Sequence, residues 1–174
     1  MKMRRCTRSE GLLLAVGLLS IASCASGPLI VEWHQTGPVE YGMDVPSLER
    51  AIGYPIMAPG SRGEDFCAMV PLTIGVQEVY VMIGGERVVR VDVEEPGLLT
   101  REGVGVGDPI ETVLDAYPDA IQTEHEYVDG FYLTVSAPPE DSPEIRLVFE
   151  TDQTQVTGYR AGLLPYVGWI EGCS

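Results

Sequence analysis

The sequence predicts an α+β fold made of two tandem units, each a short helix followed by antiparallel strands, with the helices packed on one face of the sheet. Two segments of similar layout, GMDVPSLERAIG from Gly42 and GDPIETVLDAYP from Gly107, place apolar residues at helical spacing. Each is followed by a stretch of alternating β-branched residues, 76–93 and 144–162. The shared order and spacing of these elements predict an internal duplication.

Length and composition limit what the chain can be. Its 174 residues are enough for one ordinary domain or two very small ones. Hydrophobic residues make up 45% and charged residues 21%, so the chain can bury a core and belongs to neither the disordered nor the collagen-like class. The formal net charge of −15 argues against a nucleic-acid partner, because phosphate contacts need clustered Lys and Arg.

The first element, residues 1–23, has the layout of an export signal. Basic residues precede an apolar run over 12–22 that is too short to span a membrane. The run ends in Ile21-Ala22-Ser23-Cys24, which resembles the lipobox of bacterial lipoproteins. The resemblance implies that the thiol of Cys24 is acylated and that the chain is cut just before it. The alternative is an ordinary secretory signal cut near Ala25.

The next stretch, residues 24–40, is expected to be the lipidated cysteine and a tether. Lipobox processing implies a diacylglycerol plus an amide-linked acyl chain, which together anchor a protein stably. Ala25 stands where an aspartate would imply inner-membrane retention, so the resemblance favours the periplasmic face of the outer membrane. Removal of residues 1–23 leaves seven Arg, no Lys and 25 acidic residues, a formal net charge of −18. We interpret this charge as a means of solubility; the alternative is steering toward a basic partner.

The first helix-plus-sheet unit is predicted over residues 41–95. Asp44 is suited to cap the helix and Gly53 to end it. A strand is expected over 66–73. The stretch 76–93 should form a hairpin that turns at Gly84-Gly85.

The second unit is predicted over residues 96–174, together with a C-terminal tail. Asp108 is the expected cap of its helix, with Pro109 in the first turn and Pro118 as the break. An aromatic strand follows within 126–137. A hairpin over 144–162 should turn at Asp152-Gln153.

The two helix openings carry a family resemblance. Gly42-Met43-Asp44 and Gly107-Asp108-Pro109 resemble the helix-opening signature of the β-lactamase-inhibitor-protein-like fold, which small lipoproteins of the barrel-assembly machinery share. The mature chain also resembles a family of bacterial outer-membrane lipoproteins with a TxxGVxVGD segment, here 100–108, and a terminal EGC, here 171–173. These resemblances imply an envelope lipoprotein, but they identify no catalytic or partner-binding residues.

The cysteines are consistent with export. Cys6 lies in the predicted leader and Cys24 would carry lipid, which leaves Cys67 and Cys173. In an oxidising compartment this pair should form a disulfide, and metal binding by two lone cysteines is a poorer alternative. The bridge would pin the C-terminal tail to the middle of the chain. We expect neither a metal nor a cofactor.

No catalytic motif is apparent. GxSxG, HExxH, P-loop and EF-hand patterns are absent from the sequence. His125 lies between Glu124 and Glu126, but in a strand its side chain points away from both, so we interpret it as a surface histidine. His34 falls in the predicted tether. The acidic segment 140–144 lacks calcium-loop spacing and is interpreted as a solvated loop.

Aromatic residues offer a candidate surface. Tyr127, Phe131 and Tyr132 could present a partner-binding patch on an open sheet face. Alternation sends Phe131 and Tyr132 to opposite faces, so at least one of them should be in the core. Cross-strand packing within the sheet is the other interpretation.

Two classes of function follow from these expectations. The first is a non-enzymatic, lipid-anchored periplasmic binding or scaffold lipoprotein, an inhibitor or assembly accessory for another envelope protein. The alternative is a small hydrolase that acts on envelope polysaccharide through carboxylates such as Glu124 or Asp129 beside Tyr127. A structural envelope lipoprotein without a specific ligand is a third possibility.

Overall fold

The structure, a computed structural model, describes residues 29–56, 66–139 and 141–173 and is mostly β. Strands account for 44% of it, and the described residues contain two short α-helices. The predicted α+β class is therefore wrong. The helices form where the sequence places them, but they are only eight and seven residues long, and most of the chain around them is strand.

The regular elements follow one another along the chain. In order they are β1 (Ile30–Val31), β2 (Gln35–Thr36), β3 (Val39–Glu40), α1 (Val45–Ile52), β4 (Cys67–Ile74), β5 (Gln77–Gly84), β6 (Arg87–Val93), β7 (Leu99–Thr100), α2 (Ile110–Ala116), β8 (Ile121–Glu124), β9 (Phe131–Ser136), β10 (Ile145–Thr151), β11 (Val156–Leu163) and a short 3₁₀ turn at Tyr166–Gly168.

The strands form two sheets. The large sheet has seven antiparallel strands in the order β4-β5-β6-β11-β10-β9-β8, so the β6–β11 pair joins the strands of the two predicted units. The small sheet has the order β3-β2-β1-β7, in which β1 and β7 are parallel. Part of the predicted tether is thus folded, because residues 30–40 form β1 to β3 and bury Val31 and Val39.

Local signals explain the helix ends. The carboxylate of Asp44 accepts a hydrogen bond from the Ser47 N–H at 2.8 Å, which caps α1. Gly53 ends α1 with φ 84°, a left-handed conformation that glycine adopts without steric cost. Helix α2 has no side-chain cap, and the carboxylate of Asp108 accepts instead from the Gly105 N–H at 2.8 Å.

One face of the large sheet carries the main core. Neighbouring strands contribute an apolar row across it, consisting of Val70, Val81, Val91, Ala161, Leu147 and Val135. Leu48 of α1 and Val113 of α2 belong to the same cluster and are fully buried. Phe149 packs between Tyr117 and Tyr159, with ring centroids 5.6 and 5.5 Å away. We call this side the core face.

A disulfide joins the last part of the chain to the sheet. Cys67 of β4 and Cys173 are bonded, with their Cα atoms 5.5 Å apart, which confirms the predicted pairing. The bridge links residues 106 positions apart. The segment from 164 to 173, which we call the strap, is therefore fastened to an edge strand at its far end.

Candidate binding groove

The opposite face of the sheet, the strap face, is polar at its centre. Residues paired directly across neighbouring strands form a row there, consisting of Pro71, Tyr80, Asp92, Arg160, Val148, Thr134 and Ile121. Arg160 and Asp92 are buried at 4% and 8% exposure. Buried charges must be paired and hydrogen-bonded to be tolerated, so their partners decide what this face can do.

Two buried arginines hold the strap by its backbone. Nη1 of Arg90 donates to the carbonyl oxygens of Tyr166 at 3.2 Å and Trp169 at 2.5 Å. Nε of Arg160 donates to the carbonyl oxygen of Val167 at 2.7 Å. Because three strap carbonyls depend on these donors, the position of the strap is set by charged hydrogen bonds as well as by the disulfide.

A glycine opposite Arg90 lets β6 and β11 lie close together. Gly162 lies opposite Arg90 in the β6–β11 pair. A Cβ at Gly162 would lie 2.3 Å from the Val89 carbonyl oxygen and 2.7 Å from the Arg90 Cα. Any other residue there would force the two strands apart, so glycine permits the close approach.

Each arginine also has a carboxylate partner. Arg90 contacts Asp92 through Nε at 2.8 Å and Nη2 at 2.7 Å, and Arg160 is paired with Glu150. Burial raises the pKa of Asp92 more than its bonds to Arg90 lower it. The centre of the strap face is therefore a network of paired charges beneath the strap.

The histidine singled out in the sequence joins this network. The His125 ring stacks on Tyr132 with centroids 4.3 Å apart, and its Nε2 is 3.7 Å from Glu150 Oε2. Nδ1 of His125 accepts from the Tyr127 N–H at 3.1 Å. The guanidinium of Arg160 lies 5.7 Å from the centre of the Tyr132 ring. The carboxylate that His125 meets thus comes from β10 and not from its sequence neighbours.

The three aromatic residues of the predicted surface have different surroundings. Tyr132 is 6% exposed and packs with Val148 and Val167 beneath the strap. Phe131 is half-buried on the preceding position of β9. Tyr127 is 63% exposed, and its hydroxyl donates to Glu171 of the strap at 2.6 Å. The structure does not bring them together as one open patch, and their binding role stays a prediction.

A groove of about 240 Å³ runs between the sheet and the strap. Its floor contains Tyr132, Thr134 and Val148, and its strap side contains Leu164, Val167 and Ile170. Thr123 of β8 lines it, as do Arg146 and Arg160. We call this cavity the strap groove. It combines apolar walls with a few polar groups, the usual character of a binding pocket.

Exposed apolar side chains border the strap groove. Leu164 is 43% exposed and Ile170 37% exposed, and both line it. Ile121, directly opposite Thr134 in the β8–β9 pair, is 64% exposed. Exposed apolar side chains gathered around a concave site are typical of a surface that a partner covers.

A second cavity adjoins the loop between β8 and β9. It measures about 560 Å³ and is lined in part by Glu124, His125, Asp129 and Gln153. The two carboxylates that the sequence offered as hydrolase candidates therefore face one cavity. Both residues are exposed to solvent, so water competes for them.

A third cavity, of about 370 Å³, lies toward the β4 edge and had no counterpart in the sequence predictions. It is lined by Tyr54 and Tyr80 together with Glu78, Glu94 and Glu95. The acidic lining comes from the ends of β5 and β6, which are far apart in sequence from Tyr54. No local motif marks such an arrangement.

Other predicted sites are only partly within the described residues. Cys24, residues 1–23 and Glu140 lie outside them, so the lipid site and part of the acidic segment have no structural description. His34 is exposed beside β2. Among the described ranges, no group of three or more His, Cys, Asp or Glu is placed to hold a metal ion. Within the same ranges, no helix has the length and apolar character needed to cross a bilayer.

The chain matches no protein-family model, no curated protein and no solved structure. Its resemblance to envelope lipoproteins therefore stays a prediction from sequence. The geometry of the strap face is the structural observation that bears most directly on function.

Proposed function

We propose that this protein is a lipid-anchored periplasmic binding or scaffold lipoprotein of the outer membrane, without catalytic activity, that engages another envelope protein at the strap groove. The observation that carries the proposal is the groove itself, whose floor is sheet and whose lining exposes Leu164 and Ile170. Ile121, opposite the lining residue Thr134, is exposed beside it. A concave site with an apolar rim is suited to take up side chains of a protein partner.

The N-terminal segment supports the location. Its basic start, short apolar run and Cys24 provide for export and lipid attachment. The mature chain would carry a net charge of −18, so its body is repelled by anionic lipid head groups and the lipid alone holds it to the membrane. An acidic body on a lipid anchor is free to meet a partner in the periplasm.

Site-specific photocrosslinking in intact cells tests this role. A benzophenone side chain at Ile121 or Ile170 should give the same protein adduct, because both positions border the groove. Val76, which is 90% exposed at the β4–β5 turn, is the matched control and should not give that adduct. The proposal fails if Ile121 and Ile170 give no adduct, or only those seen at Val76.

A Cys24→Ala variant that stays in the outer-membrane fraction would contradict the lipid anchor.

The alternative is a hydrolase that acts on envelope polysaccharide, and one observation favours it. Glu124 and Asp129 line one cavity, as a pair of catalytic carboxylates must. Under this alternative, a Glu124→Gln/Asp129→Asn variant would lose release of reducing ends from purified peptidoglycan that the native chain shows. Under our proposal, neither protein releases any.

A further inference from the structure

The two edges of the large sheet differ in how their backbone groups are satisfied. An unpaired edge strand offers N–H and C=O groups to any extended chain, so proteins usually block such edges. At the β4 edge, Pro71 has no N–H to offer. Next to it, the Tyr54 hydroxyl accepts from the Thr73 N–H at 3.1 Å and lies 3.4 Å from the Thr73 carbonyl oxygen. The β4 edge is therefore blocked by its own chain at Pro71 and Thr73.

The β8 edge is open across the part of the chain that the structure describes. There β8 pairs with β9 only, and all four of its residues are exposed. The strand contains neither proline nor lysine, and its pairing with β9 has no bulge. Of the usual edge protections, β8 has only its short length of four residues and the charge of Glu124.

Hydrogen-bond alternation shows which groups of β8 face outward. The His125 N–H donates to the Gly130 carbonyl oxygen at 3.0 Å, in register with the β8–β9 pairs. In an antiparallel pair every second residue bonds to the partner strand, so Ile121 and Thr123 point their backbone groups toward β9. The N–H and C=O groups of Gln122 and Glu124 then point away from the sheet.

The charged residues in and beside this edge strand are acidic, while Arg146 and Arg160 line the strap groove together with Thr123. Between Arg101 and Arg146 the sequence contains no Lys or Arg and 11 acidic residues. Asp119, Glu124, Glu126 and Asp129 lie in or beside β8 and the loop that follows it. An incoming strand that carries positive charge is attracted here, and an acidic one is repelled.

We propose that β8 receives an extended, basic segment of a partner protein, which adds to the large sheet as an eighth strand. This inference rests on the proposed binding function and assigns its mode and the charge of its partner. Backbone hydrogen bonds to Gln122 and Glu124 provide the pairing. Alternate side chains of the added strand lie beside Ile121 and the strap groove, and basic ones meet the carboxylates of Glu124 and Asp129. A second copy of this chain is disfavoured, since β8 against β8 would bring like charges together.

Peptide binding to the purified mature chain tests the pairing. The probe is a short, capped, fluorescently labelled peptide of alternating lysine and valine. Its binding is measured by fluorescence anisotropy. We expect it to bind with an affinity that falls as salt rises. The same peptide with glutamate in place of lysine, or with alternate backbone amides methylated, should bind at least about tenfold more weakly, because it loses charge attraction or about two hydrogen bonds.

A matched pair of variants places the site. Gln122→Pro removes an outward N–H and puts a ring on the edge, while the inward bonds of Ile121 and Thr123 remain, and it should weaken binding at least about tenfold. Gln122→Thr keeps the N–H and should bind as the native chain does. Should the proline variant fold poorly, Glu124→Gln/Asp129→Asn should instead weaken binding and flatten its salt dependence.

Three outcomes would overturn the inference. They are equal binding of the lysine and glutamate peptides, undiminished binding by the folded proline variant, and a dimer of the native chain in sedimentation that Gln122→Pro abolishes. The crosslinking test separates this failure from that of the proposed function. Groove adducts that persist unchanged in Gln122→Pro cells would leave the binding role intact and remove only the added strand.

Discussion

The two faces of the large sheet are built in opposite ways. On the core face, a row across neighbouring strands is entirely apolar, consisting of Val70, Val81, Val91, Ala161, Leu147 and Val135. One residue along, the strap face has Asp92 and Arg160 at its centre. The core face is stabilised by non-directional burial, whereas the strap face depends on hydrogen bonds with fixed partners.

The difference teaches how a groove can be made on a β-sheet. Apolar packing alone would let the strap settle wherever it buries most surface. Here Arg90 and Arg160 fix three of its carbonyl groups, and the disulfide fixes its end. The strap therefore lies at a set distance from the β8–β9 side of the sheet, and the strap groove is the space that remains.

The largest expected effect is on the core face. Phe149→Ala removes a fully buried ring between Tyr117 and Tyr159 and should lower the free energy of unfolding by about 3–5 kcal/mol. Its neighbour Val148 points to the strap face, and Val148→Ala should cost only about 1–2 kcal/mol. Urea unfolding of both variants measures the difference. Equal losses would contradict the division of roles between the faces.

Next in size is the buried ion pair of the strap face. Arg90→Met leaves Asp92 without its direct partner and removes the donor to two strap carbonyls, so it should cost about 3 kcal/mol or more. Arg90→Met/Asp92→Leu should cost less than the single change, because no charge is then stranded. Urea unfolding of the two variants provides the comparison. A single change that costs under about 1 kcal/mol would show that the arginine does not hold the strap.

The disulfide should contribute about 2–4 kcal/mol, since it closes a loop between residues 106 positions apart. Cys67→Ser/Cys173→Ser should therefore unfold at lower urea. Because Arg90 and Arg160 still hold the strap by its carbonyl groups, the turn should persist, and the amides of Gly168 and Trp169, which donate to the Pro165 and Tyr166 carbonyl oxygens, should remain protected from exchange in this variant. Complete loss of that protection would mean that the bridge alone positions the strap.

The smallest effect is on pH dependence, and it has opposite signs in two regions. Hydrogen bonds from Ser47 lower the pKa of Asp44, and those from Gln155 and Thr154 lower the pKa of Asp152. Both carboxylates stabilise the fold above their ordinary pKa of 3.8, and this contribution disappears as pH falls through their lowered values. Burial raises the pKa of Asp92, so its protonation favours the folded state as pH falls toward 3.8.

Urea midpoints measured across acidic pH separate these contributions. Asp44→Asn/Asp152→Asn should lose stability less steeply below pH 3.8 than the native chain does. In the native chain, protonation of Asp92 should raise the free energy of unfolding as pH falls toward 3.8, and Asp92→Asn should remove this rise. Variant profiles parallel to the native one would contradict both assignments.

The sequence predicted the local parts of this structure better than its assembly. The α1 cap at Asp44, the hairpin turns near Gly85 and Asp152, and the cysteine pairing follow from neighbouring residues or from simple counting. The fold class was wrong because the two helices are only eight and seven residues long, whereas strands make up 44% of the described chain. The two-residue strands β1 to β3 and β7 also carry no periodic signal. The alternation of apolar and polar residues along a strand also does not show which strands are neighbours, so it could not predict the pairing of β6 with β11.

The binding site was harder to predict than the strands around it. Arg90 and Asp92 occupy alternate positions of an apolar strand, a pattern typical of a solvent-facing side. They are buried because the strap, which has no regular pattern of its own, crosses over them. The same crossing buries Tyr132, which the sequence offered as part of an exposed patch. Arg90 and Arg160 lie in central strands of the sheet. Arginines at such positions indicate that another segment of the chain covers that face.

Amide hydrogen exchange of β8, with and without the lysine–valine peptide, tests most directly that the open edge beside the strap groove binds a partner. In the free chain, the outward amides of Gln122 and Glu124 should exchange fast, and the inward amides of Ile121 and Thr123 should exchange slowly. The peptide should slow exchange at Gln122 and Glu124 and leave exchange at Thr73, whose amide is bonded to Tyr54 on the β4 edge, unchanged. No slowing at Gln122 and Glu124, or slowing at the β4 edge instead, would contradict the account.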